Sequence, residues 1–163
     1  MNSISHCRKA HRTDVTPCWA GAERGQAKHS SDGSGIDSRL VRTVLVDDSP
    51  FILKTLSSLL ETQEGFQVIG TATDGHHALR RVVELQPDLV LMGLQLPGIS
   101  GLELTRQMKA RSPAPVVILV TSDVTTERRT AARAAGTASV IGKRNLASQL
   151  RRVIRKLFPT ATI

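Results

Sequence analysis

Val41-Arg42-Thr43-Val44-Leu45-Val46-Asp47-Asp48-Ser49-Pro50 is the stretch that decides the fold. Its first six positions are mostly valine, leucine and threonine, the composition of a strand buried on both faces. Two carboxylates follow without a spacer. Ser49 then suits a helix N-cap, and Pro50 suits the first helical turn, where a missing N–H costs nothing. Ile52, Leu56, Leu59 and Leu60 recur behind it at helical spacing. The chain therefore runs strand, acidic turn, helix.

Downstream the same unit repeats. Residues 66–73 read as a second strand, and Asp74 caps a helix carrying Ala78, Leu79, Val82, Val83 and Leu85, which Pro87 ends. Residues 88–92 are a third strand, apolar on both faces. The loop 96–101 leads into a helix with Leu102, Leu104, Thr105 and Met108. Residues 115–121 form a fourth strand, Asp123 caps a helix through Ala135, and Gly136 supplies its left-handed stop. A short fifth strand covers 138–141. Asn145 caps a last helix carrying Leu146, Leu150, Val153, Ile154 and Leu157, and Pro159 closes it.

Five strands alternating with five helices predict a single α/β domain whose parallel sheet is covered on both faces. In such sheets, ligands bind outside the carboxyl ends of the strands. The residues expected there are Asp47 and Asp48 after the first strand, Gly93 after the third, Thr121 ending the fourth, and Gly142 and Lys143 after the fifth. Adjacent carboxylates offer the hard oxygens that a magnesium-type cation prefers. A lysine and a hydroxyl can hold a phosphoryl group by charge and hydrogen bonds. The same residues would also serve a plainer purpose, an Asp–Lys ion pair and a capping threonine that tie loops together.

The motifs Val44-Leu45-Val46-Asp47-Asp48-Ser49-Pro50 and Pro87-Asp88-Leu89-Val90-Leu91-Met92-Gly93-Leu94-Gln95-Leu96-Pro97-Gly98-Ile99-Ser100-Gly101-Leu102-Glu103 resemble the receiver domain of bacterial two-component response regulators. The resemblance runs from residue 41 to about 158. It implies a flavodoxin-like, doubly wound sheet of five parallel strands. It implies that the acidic pair coordinates magnesium, with Asp48 as the direct ligand and the backbone carbonyl of Gln95 as a further one. It implies that Thr121 contacts the phosphoryl group and that Lys143 pairs with it.

Three positions depart from the family. The phosphate-accepting aspartate falls at Gly93, the aromatic switch residue of the fifth strand at Val140, and the proline usual after the lysine at Arg144. The first departure is chemical. An acyl phosphate needs a carboxylate oxygen as nucleophile, and glycine has no side chain. Between Asp88 and Glu103 no acid stands in. The expectation is a degenerate receiver with no phosphoacceptor, Thr121 and Lys143 as a degenerate phosphoryl pocket, and weak or vestigial magnesium binding. No nucleophile–base pair remains at the strand ends, so catalysis is not expected.

Bulk properties set the remaining expectations. The 163 residues suit one domain; aromatics are 2% with no tyrosine, so the core falls to Leu, Val, Ile and Ala. No apolar run approaches the roughly 20 residues that span a bilayer, and no secretory signal is evident, so a cytoplasmic location is expected. Residues 1–38 carry no hydrophobic periodicity and read as a disordered extension, 39–159 as the domain, 160–163 as a tail. Cys7 and Cys18 lack the paired spacing of a zinc site. The chain ends just after the fifth helix, which suggests a stand-alone module.

Formal charge is +8 and unevenly placed: from Arg128 to Lys156 there are nine Lys or Arg, and from Arg128 to the last residue no acid. In the family, the surface of the fourth helix, fifth strand and fifth helix docks partners. The expected partner is therefore a protein (a sensor kinase, a response regulator or another signalling protein), with a homodimer as another occupant. Nucleic acid ranks below both, because stacking aromatics and a reading helix are missing. A structural role with a solvated basic surface is the bland alternative.

Overall fold

A computed structural model describes residues 39–161. The expected extension 1–38 and the last two residues of the expected tail lie outside the described residues. Strand β1 is Val41–Val46, and helix α1 is Pro50–Glu61. They are followed by β2 Phe66–Ala72, α2 Gly75–Leu85, β3 Leu89–Gly93 and α3 Gly101–Lys109. The chain continues through β4 Val116–Thr121, α4 Thr126–Ala135, β5 Ser139–Gly142 and α5 Leu146–Leu157, with one 3₁₀ turn at Lys143–Asn145 before α5.

All strand pairs are parallel, in the order β2-β1-β3-β4-β5. This is the doubly wound, flavodoxin-like arrangement the alternation predicts. Because side chains alternate along a strand, each strand feeds two layers. Leu45, Leu91, Ile118, Val120 and Ile141 pack on one side against Leu56 and Leu60 of α1 and Leu146, Leu150 and Ile154 of α5. Val44, Val46, Val90, Met92, Val117 and Leu119 pack on the other against Ala78 and Val82 of α2, Leu104 and Met108 of α3, and Ala132 of α4. Burial on both faces explains why these strands read as continuous apolar runs.

Several ends differ from the sequence expectation. Gly93 is the last residue of β3 rather than the first after it. Asp123 does not cap α4. Thr125 does, accepting from Arg128 N at 3.2 Å, while the Asp123 carboxylate takes the Arg128 guanidinium at 3.3 Å. Ser49 and Asn145 occupy their N-cap positions without a side-chain capping bond. Asp74 caps α2 as expected, through His77 N at 2.8 Å, and Gly136 ends α4 at φ 96°. Thr160 and Ala161 continue as a turn, and Ala161 packs against the core on the α1–α5 side.

Candidate functional site

Parallel pairing sets the carboxyl ends of β1, β3, β4 and β5 side by side, and the chain reverses its winding between β1 and β3. Asp48, Leu94, Gln95, Val120, Thr121, Ser122 and Lys143 line a pocket of about 100 Å³ at this edge. Asp47 lies beneath it, 1% exposed. The structure thus gathers Asp47, Asp48, Gln95, Thr121 and Lys143 around Gly93. Ser122, which sequence reasoning passed over, lies between this pocket and a neighbouring cleft of about 480 Å³ that Arg144, Asn145 and Gln149 also line.

Two carboxylates at one turn play different roles. Asp47 Oδ1 accepts from Ser49 N at 2.9 Å and so ties the start of α1 to the end of β1. Asp47 Oδ2 lies 3.0 Å from Lys143 Nζ. It also has no hydrogen-bond partner. Both statements hold if the ammonium approaches obliquely: charge is compensated at ion-pair distance, but no N–H points at the oxygen. Asp48 is exposed at the pocket mouth.

Position 93 explains that arrangement. A Cβ built on Gly93 would stand 2.9 Å from Asp47 Oδ2, closer than real Cβ contacts allow. A side chain at 93 would therefore require the Asp47 carboxylate to shift by a few tenths of an ångström. Neither neighbouring acid can substitute for an aspartate there. Asp88 sits before β3 at the opposite sheet edge, accepting from Arg42 N at 2.9 Å and pairing with Arg39. Glu103 lies on α3 and pairs with Arg106 at 3.2 Å.

Thr121 is buried, and its hydroxyl belongs to the loop it ends. Its Oγ1 donates to Asp123 O at 3.2 Å and accepts from Asp123 N at 3.3 Å. To donate to a ligand in the pocket it would give up the bond to Asp123 O, while the bond it accepts from Asp123 N could stay. At the end of β5, Gly142 N donates to Gln149 Oε1 at 2.9 Å, fixing the strand end that carries Lys143. Val140 is buried.

Magnesium demands hard oxygen ligands and keeps several waters. Asp48, the Gln95 carbonyl and the unsatisfied Asp47 Oδ2 fit that demand in kind. Among the described residues no three acidic, histidine or cysteine side chains gather as a metal set, and magnesium is commonly held by one or two carboxylates with waters completing its shell. Lys143 already faces the oxygen a cation would use.

A model of the response regulator receiver domain matches residues 43–155. A protein-glutamate methylesterase/protein-glutamine glutaminase of Syntrophus aciditrophicus is 35% identical over 112 residues, 68% of this chain and 32% of that protein. The transcriptional regulatory protein LiaR of Bacillus subtilis is 34% identical over 116 residues, 71% of this chain and 55% of its own length. The response regulator domain of Thermotoga maritima CheB superposes with a TM-score of 0.67 at 29% identity, covering 72% of this chain and 96% of that one. The chain spans about a third of the methylesterase, and what matches there is the receiver part. No helix of the described residues is long and apolar enough to cross a membrane.

Proposed function

The chain belongs to the response regulator receiver domain family of two-component signalling, and on that premise we propose that it acts through protein–protein interaction without being phosphorylated. The observation that carries this reading is Gly93 itself. An acyl phosphate forms when a carboxylate oxygen attacks phosphorus and the donor's leaving oxygen departs. At 93 there is no carboxylate, and a Cβ there would stand 2.9 Å from Asp47 Oδ2. In this reading Lys143 neutralises Asp47 constantly, and Thr121 serves the β4–α4 loop. Asp48, Asp47 and the Gln95 carbonyl hold magnesium only weakly. Output runs through the surface of α4, β5 and α5, from Arg128 to Lys156, toward a signalling protein. Residues 39–159 are the folding unit, and the setting is cytoplasmic.

Incubation with acetyl phosphate and magnesium, followed by intact mass, tests the reading. No phosphoryl increment is expected. A phosphopeptide within residues 88–103 would overturn it. The Gly93→Asp variant should regain acyl phosphorylation, because Asp48, Thr121 and Lys143 remain in place to support it.

A further inference from the structure

β5 is an edge strand, and α4 and α5 pack against it from opposite sides of the sheet. Of the nine cations from Arg128 to Lys156, two hold acidic partners: Arg128 pairs with Asp123, and Lys143 with Asp47. The other seven make no ion pair among the described residues. Glu127, the last acid before this stretch in the sequence, sits in the first turn of α4, where the helix dipole favours it.

A two-fold dimer sets the same patch against itself. Here that would face cations with cations, and few acids are at hand to answer them. This surface is built against self-pairing. It suits an anionic stranger.

Within it two of the unpaired cations meet at a small cleft. Arg129, Arg133, Thr137, Ala138, Ser139 and Val140 line a cleft of about 110 Å³. Both arginines are exposed, and they stand one helical turn apart, where like charges repel. Neither guanidinium is engaged by any described group. Two guanidinium forks beside two hydroxyls match the planar oxygen pair of a carboxylate. The cleft is far smaller than the roughly 300–1,000 Å³ of a small-molecule site.

We infer that the Arg129–Arg133 cleft receives a carboxylate side chain from an acidic segment of a different protein, and that this face does not pair with a second copy of the chain. This rests on the interaction reading above and names the partner's chemistry.

The test uses the full chain and a fluorescently labelled, glutamate-rich synthetic peptide, with duplex DNA as the competing polyanion. Peptide binding should weaken at least ~10-fold in Arg129→Gln/Arg133→Gln, the loss expected when charge-assisted pairs are removed. It should weaken ~3-fold or less in Arg151→Gln/Arg152→Gln, which removes equal charge elsewhere on the face. Arg129→Lys/Arg133→Lys should recover only part of the affinity, because lysine lacks the fork. Sedimentation at low salt should give a monomer. Equal losses in the two glutamine pairs, full rescue by lysine, DNA bound more tightly than peptide, or a dimer that Arg129→Gln/Arg133→Gln breaks would each overturn the inference. Binding is measured with and without acetyl phosphate and magnesium. A peptide complex that forms only after phosphorylation overturns the phosphorylation-independent reading while leaving the cleft standing.

Discussion

The strand-end pocket and the α4–β5–α5 surface are both polar, yet they treat charge in opposite ways. In the pocket, charge is matched locally: Lys143 sits 3.0 Å from a carboxylate that is 1% exposed and that lies beside Gly93. On the surface, charge is left unmatched, with seven of nine cations unpaired among the described residues. A matched, partly buried pair is an interior tie whose loss destabilises the fold. Unmatched exposed cations cost the fold little and act on what approaches it. The comparison therefore predicts that pocket substitutions change stability and that surface substitutions change binding.

The largest stability effect should come from Lys143→Ala. It strands Asp47 Oδ2 in the interior without its counter-charge. Losing one member of a buried pair costs about 3–5 kcal/mol. The Lys143 side chain is 25% exposed, so water can partly replace it, and about 2 kcal/mol is the expected loss in urea melts. The double variant Asp47→Asn/Lys143→Met should recover most of it, since removing both charges leaves nothing stranded. A neutral Lys143→Ala would break the comparison at its first term.

Gly93→Asp comes next. Its Cβ must displace Asp47 Oδ2, and a third carboxylate joins the pocket. At about 5 Å and an effective dielectric near 20, each like-charge pair costs on the order of 3 kcal/mol before screening and pairing with Lys143. Glycine at the same place loses only about 0.5–1 kcal/mol to backbone entropy relative to alanine. Without metal, the variant should therefore be no more stable than the Gly93 protein. Gly93→Ala, with the Cβ but no charge, separates crowding from repulsion. Millimolar magnesium should stabilise Gly93→Asp clearly more than the Gly93 protein, because a cation that binds only the folded state adds its binding energy. Equal magnesium stabilisation would show that Asp47 and Asp48 suffice as ligands.

On the surface, Arg151→Gln/Arg152→Gln should shift stability by less than about 0.5 kcal/mol. Any gain from relieved repulsion should vanish as salt shortens the screening length toward ~3 Å at 1 M. Smallest of all, a chain starting at residue 39 should keep the melting temperature of the full chain to within about 2 °C. For a domain of this size 1 kcal/mol moves Tm by several degrees, so a larger drop would show that residues 1–38 contribute packing.

Legibility differed between the elements and their ends. The central strands β1, β3 and β4 stood out because burial on both faces demands apolar runs, and those runs are written locally. Helix starts were less readable. Asp123 and Thr125 are both competent caps, and Thr125 took the role while Asp123 engaged the guanidinium of Arg128. Gln149 gave no signal at all. Its part was set by the Gly142 N–H at the end of an edge strand, which needed an acceptor.

By itself the sequence determined the alternation that makes the sheet, the residues that arrive at its carboxyl edge, and the absence of a nucleophile at 93. Each depends on residue identity or on short-range spacing. Only the tertiary structure decided that Lys143 faces Asp47 rather than Asp48, that Asp47 Oδ2 lies beside the position of a Cβ at 93, and that Arg129 and Arg133 share a cleft with Thr137 and Ser139. These are distances between side chains on different strands and helices. They follow from strand order and register, and no local pattern along the chain encodes them.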